Sequence, residues 1–230
     1  MKLLIFCPSP RDIPEFTDAI NSITYDKLIV KYLSYHDEPY PQAREFFLKH
    51  KQYTHFAICP DDLIVTKEGV EQLMQDVESH MMDFIAGMCN VDLKDLDLLA
   101  MTYNLPSKER VGRRFVWYRK EDLQFRSEPI INVGWCGTPF AIFPRRVIEK
   151  LQFLGDQRWN DGASETESFD IGIAQDLKEL GITEMVDTRV YFHHMRYGGE
   201  LKVGKKYPYM LWIHDGKVEK LAVKNSFDKS

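Results

Sequence analysis

The amino-acid sequence predicts an α/β fold, with a mainly parallel central sheet flanked by helices. Short apolar runs of strand length alternate through residues 1–90 with segments whose apolar residues recur at helical spacing, the pattern of successive βαβ units. Each apolar run stops at turn-forming residues, as at Pro8-Ser9-Pro10 and Pro60-Asp61-Asp62. At 230 residues the chain is also long enough to bury a core without disulfide or metal staples. A sheet of this kind collects ligands beyond the carboxyl ends of its strands.

The first strand is Lys2 to Cys7. A helix follows, started by a capping-box-like Asp12 and Glu15 and carrying Ile13, Phe16, Ile20 and Ile23 on one face. Lys27 to Tyr35 is the second strand, His36 to Pro41 a turn-rich loop, and Gln42 to Lys51 a helix with Phe46 and Phe47 inward. Tyr53 to Cys59 is the third strand. The next helix, from Lys67 to His80, sets Val70, Leu73, Met74 and Val77 in a stripe. Asp83 to Cys89 is the fourth strand. No GxGxxG follows the first strand, and no GxxxxGK followed by Ser or Thr occurs, so the ordinary dinucleotide and triphosphate loops are absent.

The second half is less regular. Asn90 to Ser127 holds an acidic stretch (Asp92, Asp95, Asp97) and a basic strand-like run, Arg113 to Arg119. Ile130 to Phe143 is apolar and punctuated by glycine, and Arg145 to Leu151 is a helix. Trp159 to Glu167 is a polar loop before a helix from Ser168 to Leu180, whose Phe169, Ile173, Leu177 and Leu180 form a stripe that Gly181 ends. Thr188 to Phe192 is the last strand, closing on His193-His194. With no repeat or low-complexity linker, residues 1–214 read as one domain, with halves 1–90 and 91–214. Residues 215–230 form a tail, either a hairpin arm or a frayed end.

Thirty Lys and Arg against 35 Asp and Glu leave a net charge of −5, which argues against a broad nucleic-acid surface. Cys7, Cys59, Cys89 and Cys136 show no CxxC or zinc spacing, and three of them end apolar runs as small hydrophobes do. The opening MKLLIFCPSPRD is too short in its apolar run for a secretory leader, and nothing approaches a membrane span. The expectation is a reduced, cytoplasmic protein without a transmembrane segment.

Three polar features fall at ends of strands or helices on one predicted edge: Asp61-Asp62, Asp170 and His193-His194. Carboxylates and imidazole around an open edge suit Mn²⁺ or Mg²⁺, which can neutralise a diphosphate leaving group. Taken singly, Asp61-Asp62 also reads as a turn or cap, Asp170 as a residue favoured by the helix dipole, and the histidines as one core and one exposed residue. Trp135, between Gly134 and Gly137, reads equally as a core residue or as a platform for a sugar. Gly198-Gly199 is a turn or a closing loop.

In this order the segments resemble GT-A-type glycosyltransferases, in particular the family-2-like inverting enzymes. The resemblance covers roughly residues 2–200: the first strand with Ser9 and Arg11, FAICPDDLIV, GWCGTPFAIFPRRVIEKL, SFDIGIAQDLKELGI and VDTRVYFHHM. It implies a nucleotide-sugar donor, UDP- or GDP-linked, beyond the first three strands, a divalent metal on its diphosphate, and a glycan, protein or lipid acceptor. Asp62 matches the last carboxylate of the family's Asp-x-Asp motif, with Pro60 in place of the first and Asp61 as a possible helper. His194 matches the late metal ligand, with His193 behind it. The resemblance gives Asp170 the role of catalytic base, with Phe169 where the family has Glu and with Glu167 and Glu165 as stand-ins. Donor contacts fall to Ser9, Arg11, Asp37, Arg44 and Asp61, and Arg11, Arg44 and Arg196 are candidate cations for the diphosphate. The acceptor side falls to Trp135, Gly137 and Glu167. A sugar-phosphate nucleotidyltransferase and a degenerate nucleotide-binding scaffold are the alternatives.

Overall fold

A computed structural model describes residues 1–31, 39–91, 95–104, 115–153, 169–195 and 209–222. Its main sheet contains β1 (Leu3–Pro8), β2 (Asp26–Lys31), β3 (His55–Ile58), β5 (Ile85–Met88), β8 (Ile130–Val133), β10 (Ala141–Pro144), β11 (Glu184–Tyr191), β13 (Tyr209–His214) and β14 (Lys217–Ala222). The strand order is β14-β13-β2-β1-β3-β10-β5-β11-β8. Neighbours β1–β2, β1–β3 and β5–β11 are parallel, whereas β10 lies antiparallel between β3 and β5, and β8 and β13 are antiparallel additions at the flanks. The sheet is therefore mixed, which corrects the expectation of a mainly parallel one. Apolar runs buried on both faces, such as AIFP of β10, carry no mark of direction in their sequence.

Helices cover both faces. The alternation along β1 sends Leu4 and Phe6 to a core shared with α2 (Pro39–Lys49), α5 (Arg145–Ile148) and α6 (Phe169–Glu179). Leu3, Ile5 and Cys7 face the other core, made with α1 (Pro14–Ser22) and α3 (Lys67–Ser79). All four cysteines are free and buried. Among the described residues no helix is long and apolar enough to cross a membrane.

Several element ends differ from the sequence reading. Helix α1 has no capping box: Ile13 is its N-cap without a side-chain bond, Pro14 sets the first turn, and Asp12 pairs instead with Lys31 at 2.9 Å. Helix α3 has a cap that went unpredicted, Thr66 accepting from the Gly69 N–H at 3.2 Å. Gly181, at φ +71°, ends α6 as expected, and the Ile182 N–H reaches the Leu177 carbonyl at 2.8 Å. Leu180 is 40% exposed and drops out of the predicted stripe. Past Asp215 the chain turns back, and β14 pairs antiparallel with β13 from His214↔Lys217 to Tyr209↔Ala222.

Two small sheets finish the carboxyl edge. In one, β4 (Leu63–Ile64) pairs antiparallel with β12 (His193–His194). In the other, β6 (Leu98–Thr102) lies between β7 (Trp117–Arg119), which leads into the one-turn helix α4 (Lys120–Leu123), and β9 (Trp135–Cys136). A glycine makes the second possible. The Gly134 N–H reaches the Thr102 carbonyl at 2.8 Å, and a Cβ on Gly134 would lie 2.4 to 2.6 Å from backbone atoms of Asn104. Gly134→Ala is expected to lower stability by about 1–3 kcal/mol in urea titration and to speed amide exchange in β6 and β9; unchanged exchange there would refute this close approach.

Candidate functional site

A pocket of about 250 Å³ opens at the carboxyl edge. Pro60, Asp62 and Leu63 reach it from the turn after β3, Cys89 and Val91 from the end of β5, and His194 from β12. Trp117, Trp135, Gly137 and Pro139 come from the small sheet and the entry to β10, and Asp170 comes from the first turn of α6. Asp62, His194, Asp170, Trp135 and Gly137, predicted from separate stretches of sequence, thus share one wall-to-wall space.

Backbone pairing places His194. His194 lies opposite Leu63, His193 opposite Ile64, and the Met195 N–H donates to the Asp62 carbonyl at 2.7 Å. The His194 Nδ1 lies 3.1 Å from the Asn90 carbonyl, so this nitrogen is the donor and Nε2 is turned toward Asp62 Oδ2, 3.6 Å away. The buried Asn90 is itself held by a hydrogen bond from the Tyr191 hydroxyl to its side chain, 3.0 Å. His193 is exposed and outside the pocket lining, which leaves His194 as the histidine at the site.

Arg11 separates the roles of the two aspartates. Asp61, 1% exposed, accepts from the Arg11 backbone N–H at 3.0 Å, from Nε at 3.0 Å and from Nη2. The same Nη2 lies 2.9 Å from Asp62 Oδ2. Asp61 is therefore a buried anchor for Arg11 and does not line the pocket, contrary to its expected place in metal and donor binding. Burial pushes the Asp61 carboxyl up while Arg11 pulls against it. Burial also opposes ionisation of Asp62, but His194 and Arg11 outweigh it and hold its pKa below the ordinary value.

Other donor-side expectations divide similarly. Ser9 is fully buried; its hydroxyl donates to the Arg11 carbonyl at 3.1 Å and accepts from Lys31 Nζ at 2.8 Å, so it shapes the loop after β1. Arg44 is not at the site. Its guanidinium binds the carbonyls of Ile148 and Glu149, both at 2.9 Å, because α2 packs beside α5. Asp37, Glu165, Glu167, Arg196 and Gly198-Gly199 lie outside the described residues.

Asp170 sits where the helix N-terminus favours a carboxylate, and its Oδ1 accepts the Ile171 N–H at 2.9 Å. Ile171 and Ala174 of the same helix pack on Trp135, which with Phe115 and Trp117 forms a separate aromatic cluster. The Trp117 and Trp135 rings cross at 66° with centroids 5.5 Å apart. Gly137 brings its backbone close, since a Cβ there would lie 3.8 Å from Asp170 Oδ2. The Trp135 Nε1 is buried and has no hydrogen-bond partner, alone among the buried side-chain nitrogens and oxygens of the described residues. An unmatched donor of this kind costs about 1–3 kcal/mol.

Sequence reading missed Trp117, Asn90, Tyr191 and Glu184. Trp117 had a signal, its place in an aromatic-basic run. Glu184 had none, because only the sheet shows that its carboxyl Oε2 accepts the Cys136 N–H at 3.0 Å behind the pocket wall. Burial, reinforced by Asp170, pushes the Glu184 carboxyl up to about 8. Burial likewise raises the Cys59, Cys89 and Cys136 thiols, which disfavours thiolate chemistry at these positions.

No protein-family model and no curated protein matches the chain. Among solved structures it is similar to A197 from STIV, at 15% identity and a TM-score of 0.51, with 97% of this chain and 95% of that one covered. This likeness shows a shared α/β fold across nearly the whole length of both chains.

Since Glu184 binds its proton more tightly in the folded state than in the unfolded chain, its contribution to stability is greatest at low pH. That contribution falls as pH rises from the ordinary 4.5 toward about 8. Glu184→Gln is expected to flatten this slope, removing on the order of 3 kcal/mol of the change in unfolding free energy between pH 5 and pH 8. Parallel pH curves for the two proteins would show that Glu184 is ionised in the fold.

Proposed function

We propose that the protein is a metal-dependent glycosyltransferase, moving a sugar from a nucleoside-diphosphate sugar to a hydroxyl acceptor with inversion. The observation that carries this reading is the convergence of Asp62 and His194 on one side of the pocket with Asp170, Trp135 and Gly137 on the other. Its GT-A character and cytoplasmic location belong to the same proposal. The free, buried cysteines suit a reducing compartment.

The residues present fit a dication. A metal-binding histidine ordinarily donates its second ring nitrogen to a carbonyl or carboxylate, as His194 does to Asn90. Among the described residues no group of three or more His, Cys, Asp and Glu forms a metal cage. Asp62 and His194 would therefore hold Mn²⁺ or Mg²⁺ together with substrate phosphates, the ordinary manner for Mg²⁺. When bound, that ion would neutralise charge on the departing diphosphate.

On the acceptor side, Asp170 takes the proton of the attacking hydroxyl as its oxygen bonds to the anomeric carbon. The bond from that carbon to the diphosphate breaks, and its electron pair leaves with the diphosphate. Arg11, fixed by Asp61, sets Nη2 2.9 Å from Asp62 Oδ2, and His194 and Arg11 together keep that carboxyl ionised.

Incubation with Mn²⁺ and a panel of UDP- and GDP-sugars is expected to release nucleoside diphosphate. Release of pyrophosphate from a nucleoside triphosphate and a sugar phosphate would replace this reading with nucleotidyl transfer, and the absence of both turnover and donor binding would indicate a binding scaffold. Asp170→Asn should lower turnover roughly 10²–10⁴-fold while preserving donor affinity. His194→Ala should raise the Mn²⁺ concentration for half-maximal activity at least about tenfold; an unchanged metal titration would remove His194 from the ligands.

A further inference from the structure

We infer that the outer edge of β14 is a self-association surface: two copies of the chain pair antiparallel through it, about a two-fold axis at Val218, and form a dimer with one continuous sheet. This goes beyond the transferase reading and does not depend on it. The strand closes one end of the main sheet, pairing with β13 on its inner side and, among the described residues, with no strand on its outer side. Lys217 to Lys220 are exposed, Val218 by 64%. An open edge of this kind is a template for another strand. The hairpin turn decides which backbone groups it offers. Asp215 and Gly216 have φ +45° and +73°, the signature of a two-residue type I′ turn, so His214 and Lys217 form the closing hydrogen-bonded pair. Bonded pairs alternate from there through Trp212 with Glu219 and Met210 with Leu221. The backbone N–H and C=O groups of Val218 and Lys220 therefore point outward.

Charge complementarity selects a second copy as the occupant and fixes the register. A two-fold axis perpendicular to the sheet keeps each face continuous across the joint, so residues of like face meet. Centred on Val218, the axis sets Val218 opposite the second copy's Val218 and Lys217 opposite the second copy's Glu219, with the reciprocal pair on the other side. Unlike charges then meet twice, and the two valines extend the apolar row that Ile213 starts on β13. A centre at Glu219 would oppose two glutamates, and one at Lys217 or Lys220 two lysines. Edge lysines commonly repel an incoming strand. Here Lys220 lies over the Tyr209 ring of its own hairpin, 4.2 Å from the centroid, which draws its charge toward β13, and Lys217 is met by Glu219. Self-pairing uses both β14 edges, so assembly closes at two chains. A ladder of about five residues per chain buries less than the ~1,200 Å² of a standard interface, so the dimer is weak, with a Kd on the order of 10 µM.

The test is sedimentation velocity of the full chain from about 1 to 300 µM, with amide exchange measured at both ends of that range. A monomer–dimer equilibrium is expected, and exchange at Val218 and Lys220 should slow as the concentration rises. Val218→Pro removes one outward donor and leaves the bonds to β13 in place, so it should weaken the dimer about tenfold or more. Lys217→Glu and Glu219→Lys each set like charges opposite one another and should weaken it roughly tenfold. The double exchange Lys217→Glu with Glu219→Lys restores unlike pairs and should return the Kd to within a few-fold of the starting value, a recovery that a damaged hairpin cannot produce. A monomer throughout the range, growth beyond a dimer, or a dimer unaffected by Val218→Pro overturns the inference. So do single exchanges without effect, or a double exchange that fails to recover.

Discussion

The antiparallel insertion of β10 between β3 and β5 is the constraint from which the site follows. An inner strand must satisfy both of its backbone edges, and β10 does so against β3 on one side and β5 on the other. Because it runs against them, its amino end arrives where theirs are carboxyl ends. The segment just before it, Trp135 to Phe140, is thereby laid across the same edge as the turn after β3 and the end of β5. A parallel β10 would have delivered those residues to the opposite side of the sheet.

Short ladders convert this edge into a pocket. The two-residue pairing of β4 with β12 ties the turn after β3 to the end of β11, and so brings together Asp62 and His194, which are far apart in the chain. The small sheet of β6, β7 and β9 raises an aromatic wall opposite them. Between the two, Arg11 bridges Asp61 and Asp62, one buried and one at the pocket. A buried carboxylate deprived of such a partner is strongly destabilising, so the arrangement holds the loop after β1 firmly against the turn after β3.

Much of the architecture was legible from spacing alone. The apolar periods of Val70, Leu73, Met74 and Val77, and of Ile173 and Leu177, marked core-facing helix positions, all of them buried. Strand positions were legible for the same reason. Strand direction was not, since a strand buried on both faces shows no alternation to distinguish parallel from antiparallel neighbours. In the site, Asp62, Asp170 and His194 could be singled out because each is a polar residue at the end of an apolar element. Arg44 and Asp61 looked equally suitable, but only contacts between distant segments show that Arg44 holds helix-end carbonyls and that Asp61 holds Arg11.

The amino-acid sequence by itself determined the alternating elements, their inward faces and the chemical types available at their ends, because these depend on local geometry and on the period of apolar residues. The tertiary structure alone decided which of those ends meet. It made Asp61 a support and Asp62 a pocket residue, turned His194 Nε2 toward Asp62 through the Asn90 carbonyl, and set Glu184 behind Cys136 near Asp170. Those outcomes arise from strand order and from pairing between residues about 50 to more than 100 positions apart, which nothing in a local stretch of chain can specify.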